Sequence, residues 1–165
     1  MNVEMRDVLG YFLRPPMCIV RKDGSAQTVP GQATVVASWD TVVYDNDGMF
    51  GVDGNRFTCK TPGYYVFSWQ LQFYILTPSG GGLRKLELRQ YNANAALIDK
   101  LEISNVQVQQ SDESYAGSSV VGLNASDYVM FHCVNWDNPS HQIVGYEPSQ
   151  NQYGCQVSAR WLSTL

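Results

Sequence analysis

The sequence predicts an all-β chain folded as one two-sheet sandwich or jelly roll, and three observations predict it. The stretch Tyr64 to Ile75 alternates strictly, with Tyr65, Phe67, Trp69, Leu71 and Phe73 on one parity, a period of two. Segments of this kind recur along the chain, separated by turn signals every 8–12 residues, about eight to ten strands in all. No segment carries a persuasive helical period, and no repeat or heptad is present.

The elements follow in chain order. Residues 1–16 read as a leader or arm, ending in Arg14-Pro15-Pro16, which cannot continue a helix. Residues 17–165 form the single domain. Residues 17–21 (MCIVR) are a first short strand, 22–32 a loop, and 33–45 a strand with Trp39 as its large residue. Asp47-Gly48 and Asp53-Gly54 are turn signals. Pro62-Gly63 launches the long strand, and 77–82 (TPSGGG) is a sharp loop. Residues 83–92 read as an exposed strand with a bulge, and 95–106 as another strand or a strand and bend. Two more strands cover about 115–123 and 127–135, joined by a turn at 124–127. Residues 137–154 are mostly loop with a short strand near Ile143-Val144. The last strand, in 155–165, sets Val157, Ala159 and Trp161 against Gln156, Ser158 and Arg160.

Composition excludes several functions. A chain of 165 residues builds one ordinary core without a disulfide or metal staple. Only 16% of residues are charged, the net charge is −4 and there is no basic run, so neither nucleic acid nor an anionic membrane is an expected partner. No apolar run approaches a spanning helix, and the first residues lack the pattern of a secretory signal, so the chain reads as made in the cytoplasm. Cys18, Cys59, Cys133 and Cys155 are too far apart in sequence for a zinc motif and read as small buried hydrophobes. A disulfide such as Cys59 to Cys155 stays open.

The opposite face of the long strand carries Tyr64, Val66, Ser68, Gln70, Gln72 and Tyr74. It is half apolar, which suits an interface better than water; a slightly greasy solvent face is the plainer alternative.

The spacing of Trp39, Asp45, Phe50, Phe57, Gly63, Tyr65, Phe67 and Trp69 resembles the aromatic signature of the complement component 1q globular domain. Trp39 and Trp69 stand where that family has Phe or Tyr. Downstream, "GSSVVGLNASDYVMF" resembles the family's next two strands, with Ser126 in place of Gly, and Trp161 lies in a similar final strand. The likeness runs from about Met17 to Leu162. It implies a ten-strand jelly roll shared with the tumour necrosis factor family and a homotrimer. Tyr64, Val66, Gln70 and Tyr74 would then face the threefold axis, joined by Met130 and His132.

Animal members carry a signal peptide and a collagen stalk; this sequence has neither, and so resembles a bacteriophage or other viral member. By analogy the expected role is a trimeric capsid decoration (cement) protein on the virion surface, partnered by the major capsid protein or another virion protein. Tyr11, Phe12 and Arg14 in the arm would be the capsid anchor. The alternative is a trimeric receptor- or glycan-binding tip, with Trp136, Tyr146 and Tyr153 as its ligand loop.

No catalytic set emerges. His132 lies in a strand and His141 in a loop, and no nucleophile elbow accompanies them. His132 reads as a structural group near the axis, or as a pH-sensitive trimer contact. Residues 45–48 (DNDG) with Asp53 nearby resemble a calcium loop, and some members of the family bind calcium near the trimer apex. The spacing fails where Met49 replaces an oxygen ligand, so hairpin turns are expected instead. No cofactor or metal is expected.

Overall fold

A computed structural model describes residues 10, 13–24, 26–75, 83–107, 112–136, 140–143 and 154–165. Twelve strands are described: β1 (Met17–Arg21), β2 (Gln27–Val29), β3 (Ala33–Val36), β4 (Thr41–Asp45), β5 (Phe57–Thr58), β6 (Gly63–Ile75), β7 (Leu83–Tyr91), β8 (Leu97–Gln107), β9 (Asp112–Leu123), β10 (Tyr128–Asn135), β11 (His141–Ile143) and β12 (Gln156–Ser163). One sheet has seven strands in the order β2-β11-β6-β12-β1-β4, with β9 along the other side of β6. The second has five, ordered β3-β10-β7-β8, with β5 also beside β10. Every pairing is antiparallel.

The core follows from the alternation. Tyr65, Phe67, Leu71 and Phe73 of β6 are buried and meet Phe57, Phe131, Leu86 and Leu88 across the sandwich. Phe57 contacts Phe67 and Phe131 edge-on at 5.7 and 6.2 Å between ring centroids, the arrangement aromatic quadrupoles favour. On one inward rung Val20, Val157, Trp69 and Gly117 stand side by side. A Cβ on Gly117 would come within 2.8 Å of Trp69 Cζ2, so the glycine makes room for the indole.

Three expectations are corrected. Residues 33–45 are two strands in different sheets, β3 and β4. The chain changes sheet at residues 37–40, where local bonds replace a ladder: Ser38 N–H donates to Gln27 Oε1, Trp39 N–H to the Gly54 carbonyl and Asp40 N–H to the Arg21 carbonyl. The expected 22–32 loop contains β2, which pairs with β11 and places a buried His141 opposite Val29. The expected exposed strand at 83–92 is interior: β7 lies between β10 and β8, with Leu86 and Leu88 buried inward and Glu87 buried on its other face. A chain of charged residues looked like a solvent strand because ion pairing on one face is invisible to periodicity. The register slips between Leu86 and Glu87, but the extra residue, Ile103, stands on β8, so the bulge expected in 83–92 lies on the neighbouring strand.

The four cysteines are buried, and none is in a disulfide. Cys59 Sγ bonds the Thr61 carbonyl at one end of β6, while Cys155 Sγ accepts the Gln72 N–H near the other end. Nine strand residues, about 30 Å, separate those ends, so a Cys59–Cys155 disulfide is excluded. Burial, helped by the Asp45 charge, pushes the Cys18 thiol up to about 12, and burial pushes Cys59 up to about 11, which leaves both unreactive.

Candidate functional site: the outward faces of the two sheets

The eight spaced aromatic and loop residues are the scaffold of the sandwich. Trp39, Phe57, Tyr65, Phe67, Trp69 and Trp161 are buried, and Phe50 is half-buried against Phe57 at 5.2 Å between centroids. Gly63 lies under the Trp161 indole, whose Nε1 donates to the Pro62 carbonyl at 3.3 Å. The Asp45 carboxylate accepts the backbone N–H groups of Asp47, Met49 and Phe50 at 3.3, 3.0 and 2.9 Å. Both its oxygens are therefore spent on holding the loop. Gly48 and Gly54 take φ of +62° and +70°, the left-handed turn geometry that the two Asp-Gly pairs predicted. Among the described residues no cluster of three His, Cys, Asp or Glu side chains is placed to hold a metal.

The half-apolar face of β6 points outward from the seven-stranded sheet. Register places Met17, Arg160, Val66 and Val120 on one rung, and Ile19, Ser158, Ser68 and Ser118 on the next. Tyr64, Val120, Leu162 and Leu165 are exposed by 44, 57, 47 and 56%, and they gather at one end of this face. Leu165 and Tyr64 both lie against Gly122, within 3.2 Å of where its Cβ would be. The far end carries exposed Tyr74, and Gln70 stands between the two ends.

This apolar strip turns the corner of the sandwich. On the adjoining edge β8 exposes Leu97, Ile98 and Leu101. A cleft of about 240 Å³ between β8 and β9 is lined by Leu101, Val120, Leu88 and Gln90, and Gln90 Nε2 spans it to the Gly122 carbonyl at 2.9 Å.

Met130 and His132 do not join this face. They lie on β10, pointing outward from the five-stranded sheet, on the opposite side of the sandwich. Tyr64, Val66, Gln70 and Tyr74 share one surface because they share a strand parity; the placement of β10 in the other sheet separates the remaining two. His132 is buried there, its Nε2 3.1 Å from the Tyr91 hydroxyl and its Nδ1 without a partner. Beside it Glu87 Oε2 accepts Arg89 Nε and Nη2 at 2.9 and 2.7 Å, and Oε1 accepts Lys100 Nζ at 3.3 Å. Burial alone would raise the Glu87 carboxyl, but the bonds from Arg89 and Lys100 outweigh it and hold it below the ordinary value. Burial, then the Arg89 charge, depress His132 to about 4 against the opposing pull of Glu87. At neutral pH the imidazole is therefore uncharged. Sequence alone showed neither Tyr91 nor Glu87 as its neighbours, since only the β7–β10 register brings them together.

Of the anchor residues, Arg14 is exposed and its N–H donates to the Gly10 carbonyl; Tyr11 and Phe12 lie outside the described residues. The root of the arm is clamped: the Pro15 carbonyl accepts Asn46 Nδ2 at 3.0 Å, and the Pro16 carbonyl accepts Trp161 N–H at 2.8 Å. Of the ligand loop, Trp136 is 54% exposed with Lys85 Nζ 4.4 Å above its ring; Tyr146 and Tyr153 lie outside the described residues.

Two antiparallel sheets filled by spaced aromatics, with a loop cinched by one carboxylate, define a jelly-roll domain of the complement-1q and tumour-necrosis-factor kind. The C1q domain family model matches residues 23–145, and the chain belongs to that family. A search of curated proteins finds no match. Among solved structures the chain is similar to the globular domain of zebrafish complement 1qA, at TM-score 0.60 and 17% identity, over 91% of this chain and 99% of that one. It is similar to the Eiger tumour necrosis factor of S. frugiperda at TM-score 0.62 and 10% identity, over 91% and 95%. Murine APRIL matches at TM-score 0.58 and 10% identity, over 88% and 99%. At these identities the likeness is one of fold.

Proposed function

We propose that this chain is a non-enzymatic structural module that assembles as a homotrimer and decorates a virion shell. The observation that carries the trimer is the apolar strip from Tyr64, Leu162 and Leu165 through Val120 to Leu101. It occupies two surfaces that meet along β9, a sheet face and a sandwich edge. Surfaces that differ on one protomer pair heterologously, face to edge, and such contacts close as a trimeric ring when each protomer is rotated by a third of a turn from the last. Scattered exposed apolar residues are ordinary, but a contiguous strip of five is the signature of an interface.

The shell role rests on threefold symmetry, which suits threefold and quasi-threefold positions on a capsid, and on the clamped root of the arm. Pro16 is held by Trp161, which pairs with Tyr65, so the arm starts at the same end of the sheet as Tyr64 and Leu162. Arg14, with Tyr11 and Phe12 beside it in sequence, would bind a capsid surface, and decoration would bridge neighbouring capsomers and raise the cost of shell opening. A second reading, a trimeric receptor- or glycan-binding tip, is favoured by the exposed Trp136 beside Lys85.

Native mass spectrometry of the chain, alone and mixed with shells of its parent particle, tests both. A species of three times 18.5 kDa that joins shells and raises their disruption temperature supports decoration. A trimer that ignores shells but binds cells or glycans through Trp136 moves the reading to the binding tip. A monomer overturns the assembly argument.

A further inference from the structure

The outward face of the seven-stranded sheet is apolar at the Tyr64 end and polar in its middle. Arg21, Gln156 and Gln70 stand side by side on β1, β12 and β6, and on the next rung Ser158 pairs with Ser68. These five side chains line a recess of about 350 Å³. All five carry N–H or O–H donors, and among the described residues no acidic side chain lines the recess. The Arg21 guanidinium bonds Asp23 Oδ2 through Nη2 at 2.9 Å, and the side chain is 42% exposed.

We propose that this recess binds a small oxyanion of the phosphate or sulfate type. Arg21 offers the charge, and the two glutamine amides and two serine hydroxyls offer further donors to the anion's oxygens. A neutral polyol would use the hydroxyls and amides equally well, but would leave the charged donor weakly matched. Asp23 occupies one edge of the guanidinium and so orients it. Arg160 lies on the same face but outside the recess. All five side chains come from one protomer, so the site does not depend on assembly. Where the proposed trimer forms through this face, the recess is covered and a bound anion is retained.

The test is thermal unfolding of the full chain in sodium phosphate, and separately sodium sulfate, against sodium chloride at matched ionic strength. The midpoint is expected to rise by several degrees and saturate in the millimolar range for the oxyanions alone. Arg160→Gln keeps the rise, and Arg21→Gln loses it. Gln156→Glu, which places a carboxylate in the recess, loses it too and serves where Arg21→Gln folds poorly. No oxyanion-specific rise in the unsubstituted chain, or an equal rise in Arg21→Gln and Gln156→Glu, overturns the proposal. Native mass measured on the same samples separates it from the assembly reading: a monomer with the rise keeps the site and loses the trimer, and a trimer without the rise does the reverse.

Discussion

Gly63 and Trp161 are packed so closely that a Cβ on the glycine would overlap the indole nitrogen and the Ser163 carbonyl. The contact joins the start of β6 to the final strand, and it explains why glycine precedes the aromatic alternation. Gly63→Ala is expected to destabilise the domain by about 1–3 kcal/mol through overpacking. Gly48→Ala is the control: open space surrounds that position, so only the left-handed φ is penalised, at about 1–2 kcal/mol. Urea midpoints of the two variants check the order; an unchanged midpoint for Gly63→Ala would show that Trp161 simply moves aside.

Asp45→Ala removes the single acceptor of three backbone N–H groups in the 45–50 loop. The expected cost is about 2–3 kcal/mol, and Asp45→Asn, which keeps one oxygen, should cost less. Amide exchange at Met49 and Phe50 provides a local readout; unaltered protection in the alanine variant would rule out the carboxylate as the loop's anchor.

Stability should fall in acid because of His132. Its folded pKa is depressed to about 4, and its unfolded value is 6.5. Between these values the unfolded chain takes up a proton that the folded chain refuses. The contribution is complete above about pH 6.5 and is lost progressively down to about pH 4, amounting to roughly 2–3 kcal/mol. Denaturant unfolding at pH 7 and pH 4.5 measures it. His132→Gln keeps a polar partner for the Tyr91 hydroxyl and should flatten the difference; an equal slope in both proteins would place the titration elsewhere.

Tyr64→Glu and Val120→Glu each put a carboxylate in the apolar strip and are expected to yield folded monomers. Met130→Glu, on the opposite sheet, should leave the assembly unchanged. Light scattering coupled to gel filtration decides, and a trimer that survives Tyr64→Glu would remove the strip as the interface.

Local alternation determined a great deal. Tyr65, Phe67, Trp69 and Phe73 were legible as core because a strand's period of two assigns each residue a face before any partner is known. The same rule made Tyr64, Val66, Gln70 and Tyr74 one outward surface, and the Asp-Gly pairs announced left-handed glycines. These are properties of neighbours along the chain. What tertiary structure alone decided were relations between strands. The rule that gave His132 and Met130 a common face had no means of saying which sheet that face belonged to. Nor did sequence show that 33–45 divides between the sheets, that Glu87 is buried under Arg89 and Lys100, or that Arg21 meets Gln156 and Gln70. Each depends on register and sheet order, which are set by how all the strands pack at once.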